Sequence, residues 1–213
     1  MPILYSFKRC PYAMRARIAL FLGDIKCEIR EIRLNNKPDH MIKVSPKGTV
    51  PVLILKNKVI DESIDIINWV MEQKNIFEDN LDEKDMHLTD ALINLFDTKF
   101  KYHLDRYKYS SRYEDVDSDF HRNECLSILI KLESILDKDG WIFSHNINKL
   151  DIAILPFIRQ FKIADPEWFE NQIDILKVNK LLNKFLNSDL FKNIMYKYEV
   201  WKTDSKAVLF PMS

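Results

Sequence analysis

Glycine is nearly missing from this chain: Gly23, Gly48 and Gly140 are the only three in 213 residues. No glycine-rich loop is therefore present to cradle a phosphate. Cysteine is equally scarce, and Cys10, Cys27 and Cys125 are odd in number and far apart. That pattern excludes a disulfide scaffold and points to a reducing compartment. Cys27 and Cys125 stand in apolar-periodic contexts and read as buried structural thiols. An excess of either charge is lacking too, since Lys+Arg and Asp+Glu both number 32. The chain has no global field to draw it to nucleic acid or to an anionic membrane. No stretch approaches the roughly 20 apolar residues of a spanning helix, and the start MPILYSFKRC carries no apolar core behind a basic segment. A cytoplasmic protein without nucleic-acid or membrane partners is expected. The five histidines, His40, His87, His103, His121 and His145, share no ligand-like spacing, so no metal site is expected.

What is present is ample for a core: 46% of residues are hydrophobic and 12% aromatic. Ile3 to Phe7 reads as a strand, Pro11 to Leu22 as a helix stopped by Gly23, and Cys27 to Ile32 alternates as a second strand does. Pro38 to Val44 makes a short helix or turn. Val50 to Leu55 and Val59-Ile60, separated by Lys56-Asn57-Lys58, predict a β-hairpin, and Ser63 to Gln73 places Ile64, Ile67, Trp69 and Val70 mostly on one side of a helix. This β-α-β, β-β-α order predicts an α/β thioredoxin-like N-terminal domain over residues 1–76. Residues 75–85 are acidic and poor in large apolar side chains, as a linker is. Beyond them only helical patterns follow, over roughly 84–109, 114–137, 148–162, 176–187 and 188–201, which predicts an all-α C-terminal domain over 85–213. Asn148 caps one of these helices with Asp151 three residues on, and Ile147 and Ile152 hold the staple positions.

Chemistry concentrates at Cys10-Pro11-Tyr12-Ala13, where a thiol sits at a helix start. The unpaired N–H groups and positive dipole end of the first turn favour a thiolate, with pKa values of roughly 3.5 to 7.5 at such positions. Pro11 fits the first helical position. Ala13 stands where a dithiol oxidoreductase has its second cysteine, so an external thiol must complete any redox cycle. Arg15 and Arg17 follow at helical spacing, with surface ion pairs as the plain alternative to a role at the site. Pro51 enters the third strand, where a proline normally forfeits a ladder bond. A cis Val50-Pro51 bond turns the Val50 backbone outward beside the thiol, ready to pair with an extended peptide. Asp61-Glu62-Ser63 opens a helix, with Ser63 able to donate to a carboxylate and Glu62 to accept from an α-ammonium, the two ends of a γ-glutamyl group. Lys37, in the loop after strand two, is a cation suited to a glycyl carboxylate.

These segments, RCPYAMRARIAL, NNKPDH, SPKGTVPVL and DES, with NKLDIAILPFIRQF later in the chain, resemble the glutathione transferases, and among them the cysteine-type branch typified by the omega class. The resemblance implies that Cys10 is the catalytic thiol, that glutathione is the co-substrate, and that Lys37, Val50, Pro51, Glu62 and Ser63 form its site. It also implies a homodimer. The family usually caps its second-domain box with Ser or Thr where this chain has Asn148; asparagine caps as well. In such an architecture the first long helix of the second domain lines the cleft facing the thiol, which makes Tyr12, Tyr102, His103, Arg106 and Tyr107 candidates for the second-substrate wall, with interdomain packing as the alternative. The same aromatic and basic residues also suit nucleic-acid contact, a weaker reading. The expected activity is thiol transfer on glutathionylated thiols or small oxidised acceptors such as dehydroascorbate. The alternatives are conjugation to electrophiles, with Tyr5 or Ser6 as activator, and a non-catalytic partner-binding relative of the kind seen in stringent-starvation and chloride-intracellular-channel proteins. Retention of Lys37, Glu62 and Ser63 beside Cys10 argues against the first of these two kinds.

Overall fold

The computed structural model describes residues 1–77, 81–137 and 140–212. The chain divides into two compact units, one of residues 1–76 with 187–213 and one of residues 77–186. Part of the predicted linker, residues 78–80, lies outside the described residues.

Unit 1 is built on β1 (Ile3–Ser6), α1 (Pro11–Leu22), β2 (Cys27–Glu31), α2 (Asp39–Val44), β3 (Val52–Ile54), β4 (Val59–Ile60) and α3 (Ser63–Gln73). β1 pairs parallel with β2 and antiparallel with β3, and β3 pairs antiparallel with β4, which is the predicted hairpin. The helix α1 is buried from Ala13 through Leu20. A helix covered on all sides has no solvent stripe to reveal in its sequence, and this is why Arg15 and Arg17 are interior residues here and not surface ones.

The sheet has a fifth strand. Its order is β4-β3-β1-β2-β5, with β5 (Leu209–Phe210) antiparallel to β2 through Cys27↔Phe210 and Glu28↔Leu209. This corrects the expected helix over 188–201, which in the structure is α10 (Asp189–Ile194) followed by extended chain, and it corrects the all-α second domain running to 213. The physical reason is the open edge of β2. Its unpaired backbone groups need partners, and the returning segment supplies them: Trp201 N–H donates to Glu31 O at 2.8 Å and Ile29 N–H to Val208 O at 2.9 Å.

Unit 2 is helical: α4 (Glu83–Leu95), a π-helical turn (Phe96–Phe100), α5 (Lys101–Lys108), α6 (Ser118–Ile135), α7 (Lys149–Ala164), α8 (Pro166–Glu170) and α9 (Leu176–Asn187). The predicted helix over 84–109 therefore contains a register change, with Phe96 and Phe100 stacked at 4.5 Å across it. The capping box of α7 is formed as expected: Asn148 Oδ1 accepts from Leu150 N and Asp151 N, and Asp151 accepts from Asn148 N at 2.9 Å. With Leu150 through Ile158 buried, α7 is the spine of this unit.

Candidate functional site

Cys10 occupies the N-cap position of α1 with extended backbone, and Pro11 follows at the first helical position. Cys10 N–H donates to Phe7 O at 2.9 Å, closing a turn over Phe7, Lys8, Arg9 and Cys10, and Met14 N–H donates to Cys10 O at 2.9 Å, opening the helix. The side chain makes no cap bond, which leaves the sulfur directed elsewhere. Cys10 Sγ donates to Val50 O at 3.6 Å. The Val50-Pro51 peptide is cis, as the sequence led us to expect. Cys10 packs against a buried cluster of Tyr5, Ala13, Ile32, Met41, Val50 and Val52.

The loop from Ser45 to Pro51 gathers the other expected residues. Ser45 Oγ donates to Asp61 Oδ2 at 2.6 Å, and Lys47 Nζ pairs with the Glu62 carboxylate, so the loop is pinned to the start of α3 at two points. Both partners of the second pair are solvent-exposed, and such pairs contribute little to stability. Gly48 has φ +66, a left-handed conformation that favours glycine. A Cβ there would stand 3.7 Å from Lys37 Nζ, which places the Lys37 ammonium against this loop. Ser63 is buried at the start of α3, and its Oγ accepts from Arg15 Nη1 at 3.2 Å. The fully buried Arg15 guanidinium also lies 5.3 Å from the Tyr12 ring. Cys10, Lys37, Val50, Pro51, Glu62 and Ser63 are thus drawn together by one loop and two helix starts.

Tyr5 and Ser6, the alternative activators, have their polar atoms engaged elsewhere. Tyr5 OH meets His40 Nδ1 at 2.9 Å and accepts from Arg30 Nη1 at 2.8 Å, and Ser6 Oγ accepts from Arg17 Nε at 2.8 Å. Sequence reasoning missed the partners of Arg15 and Arg17, because helical spacing alone does not say which face of α1 is covered.

Of the remaining candidates, Tyr102, His103, Arg106 and Tyr107 all lie on α5 in unit 2. Tyr102 and Arg106 border an open pocket of about 600 Å³ with Arg112, Tyr113 and His121. The Arg106 guanidinium stacks 3.5 Å from the Tyr102 ring centre and 4.7 Å from that of Tyr113. His103 is buried, with its Nδ1 2.7 Å from His121 Nδ1. One ring must be neutral to accept that bond, and burial lowers the pKa of both. Tyr107 packs edge-on to Phe161 at 5.5 Å, and desolvation raises its phenol. Burial pushes Cys27 up to about 12 and Cys125 upward as well. Among the described residues no group of three or more His, Cys, Asp or Glu is arranged to hold a metal, and no helix is long and apolar enough to cross a membrane.

Comparison with known proteins places the chain among relatives of one kind. Residues 4–78 match the family model of the glutathione S-transferase N-terminal domain. Glutathione S-transferase L1 of Arabidopsis thaliana is 29% identical over 211 residues, covering 97% of this chain and 84% of its own length. A probable glutathione transferase of Aplysia californica is 34% identical over 65 residues, 30% of this chain and 71% of its own length. Among solved structures, a glutathione transferase family member from Pseudomonas fluorescens, with two glutathione bound, superposes with a TM-score of 0.79 at 17% identity, covering 91% of this chain and 92% of that one.

Proposed function

Because the chain belongs to the glutathione S-transferase family, we propose that it binds glutathione at Lys37, Val50, Pro51, Glu62 and Ser63 and uses the Cys10 thiolate for thiol–disulfide exchange, as a cysteine-type, omega-like member. The single observation behind the reading is the placement of Cys10 at the N-cap of α1 with its sulfur at the Val50 carbonyl. The dipole and open N–H groups of α1 favour the thiolate. The backbone beside Pro51 is suited to lie along the cysteinyl part of glutathione. Lys37 suits the glycyl carboxylate, and Ser63 with Glu62 suits the γ-glutamyl end.

The exchange has two steps. The Cys10 thiolate attacks the glutathione sulfur of a glutathionylated thiol; the old S–S bond breaks, the substrate leaves as a thiolate and takes a proton, and a Cys10–glutathione disulfide forms. A second glutathione thiolate then attacks that disulfide, releasing oxidised glutathione and restoring the Cys10 thiolate. Ala13 supplies no resolving thiol, so the second step is intermolecular. The small or glutathionylated substrate would be met in unit 1 by Tyr12, in the first turn of the helix that Cys10 caps. A homodimer in a reducing cytoplasmic setting, without metal, completes the reading. The engagement of Tyr5 and Ser6 elsewhere counts against conjugation as the main activity.

Incubating the protein with oxidised glutathione and locating adducts by mass spectrometry should find one adduct, on Cys10, with Cys27 and Cys125 unmodified. Replacing Cys10 with Ala should abolish thiol transfer, leave glutathione binding in place and leave conjugation equal or raised, since bound glutathione is then the only nucleophile. Retention of disulfide reduction by Cys10→Ala would sink the proposal and bring conjugation forward.

A further inference from the structure

Two charged side chains that the proposed reaction does not use lie buried behind the turn that carries Cys10. Arg17 is 1% exposed and Glu31 8%. The Arg17 guanidinium donates from Nε to Ser6 Oγ at 2.8 Å, from Nη1 to Ile194 O at 3.0 Å, and from Nη2 to Glu31 Oε2. The other carboxylate oxygen, Glu31 Oε1, accepts from the Lys8 backbone N–H at 2.6 Å. Lys8 is the second residue of the turn that Cys10 N–H closes on Phe7 O. The turn's own hydrogen bond does not use the N–H of that second residue, and this half-buried donor needs a partner of its own. Glu31 is that partner.

As a stabilising element the pair is poorly chosen. Taking both charges out of water is expensive, and an apolar pair of similar volume is often as stable or more so. Desolvation accordingly pushes Glu31 up and Arg17 down from their ordinary values, each partner's charge opposing the shift. What the pair does supply is direction. It holds Ser6 at the end of β1 and Lys8 in the turn at fixed points, just ahead of the thiol that meets Val50 O.

We propose that the Arg17–Glu31 pair is a positioning device for the Cys10 thiol, fixing the Phe7-to-Cys10 turn through the Lys8 N–H and Ser6 hydroxyl without touching the sulfur. The assignment rests on the reading of Cys10 as the nucleophile. The same guanidinium lies 5.6 Å from the Tyr198 ring and bonds Ile194 O, so the C-terminal part of unit 1 shares the clamp.

The test uses the full chain in three forms: wild type, Glu31→Gln, and the apolar double variant Arg17→Met with Glu31→Leu, which removes both charges together. Alkylation of Cys10 by iodoacetamide is followed from pH 5 to 9 with adducts located by mass, alongside kcat and KM for a glutathione mixed disulfide and the melting temperature. The double variant should melt cooperatively, yet alkylate Cys10 about tenfold more slowly, with a displaced pH midpoint and a kcat lowered about tenfold at little-changed KM, the scale expected when a reacting group is misplaced. Glu31→Gln keeps a carbonyl for Lys8 N–H but turns its amide N–H groups toward the Arg17 guanidinium, so it should recover part of the alkylation rate. Folded variants, Glu31→Gln included, whose alkylation profile and kcat equal those of the wild type would overturn the proposal, as would a Glu31→Gln protein no better than the double variant. A wild type that lacks thiol transfer but shows the same alkylation differences would uphold the positioning role while removing the reaction assigned to Cys10.

Discussion

Ser63 shows how one hydroxyl can serve two ends. Its oxygen accepts from Arg15 Nη1 at 3.2 Å inside unit 1, while its place at the first residue of α3 puts its backbone N–H among the open donors of a helix start, where the proposed function sets the γ-glutamyl carboxylate. Ser63→Ala should therefore weaken glutathione binding by about 1 to 3 kcal/mol, the range for a hydrogen bond to a charged group. Calorimetry on the folded variant reads this directly, and unchanged affinity would remove Ser63 from the site. The variant should also melt earlier, since the buried Arg15 guanidinium loses an acceptor. At this scale the sequence was legible wherever a residue obeys local grammar. Cys10 and Pro11 announce a helix start, and Pro51 ahead of a strand announces a special bond. Arg15, Arg17 and Glu31 were not legible, because their partners are 48, 11 and 23 residues away in sequence for Ser63, Ser6 and Lys8, and no pattern along the chain records such distances.

Among the elements, α7 carries the clearest written signal, and with it a buried carboxyl whose titration is displaced. Asn148 and Asp151 exchange cap bonds, and Asp151 also accepts from Ile142 N–H at 3.0 Å. Asn148→Ala should cost about 0.5 to 2 kcal/mol, the usual range for a lost N-cap, seen as a lower urea midpoint. Asp151 is fully buried, and desolvation outweighs its two backbone bonds, raising its pKa to about 7. In the unfolded chain it titrates near its ordinary value of 3.8, so between roughly pH 4 and 7 the folded state holds the extra proton. Stability should then fall as pH rises through that window and level off above it. Asp151→Asn lacks this slope. Its deficit relative to wild type, measured by urea unfolding at pH 4.5, 6 and 7.5, should narrow as pH rises; a deficit that widens would show the carboxylate to be favoured by its surroundings. The break between α4 and α5 had no such signal, because the buried residues Thr89, Ile93, Phe96, Phe100 and Leu104 follow one another across it at three- to four-residue steps, as they would in an unbroken helix.

For the whole molecule, the decisive fact is that the chain returns. Residues 187–213 group with unit 1, so that unit is discontinuous, and its fifth strand comes from the far end of the sequence. Nothing in VLFPMS alternates long enough to announce a strand, which explains why a purely helical second domain was the natural reading. Phe210 anchors the return: it is 1% exposed, pairs with Cys27 in register, and meets the Tyr198 ring edge-on at 6.5 Å. Trp201, in the same segment, stacks 4.4 Å over the Arg30 guanidinium and edge-on to Tyr5 at 6.0 Å, on the cluster against which Cys10 also packs. Truncating Phe210 to Ala should therefore cost about 3 to 5 kcal/mol, the range for a buried phenylalanine, or roughly 6 to 20 °C in melting temperature for a chain of this size. The location of the loss matters more than its size. Hydrogen exchange of Phe210→Ala should quicken in β2 and α1, whose contacts depend on the returning segment, while α7 keeps its protection. Quickening confined to α7, with β2 and α1 unchanged, would mean that the terminal segment belongs with the helical unit after all, and the division of the chain drawn here would have to be redrawn at residue 77 with everything beyond it in one piece.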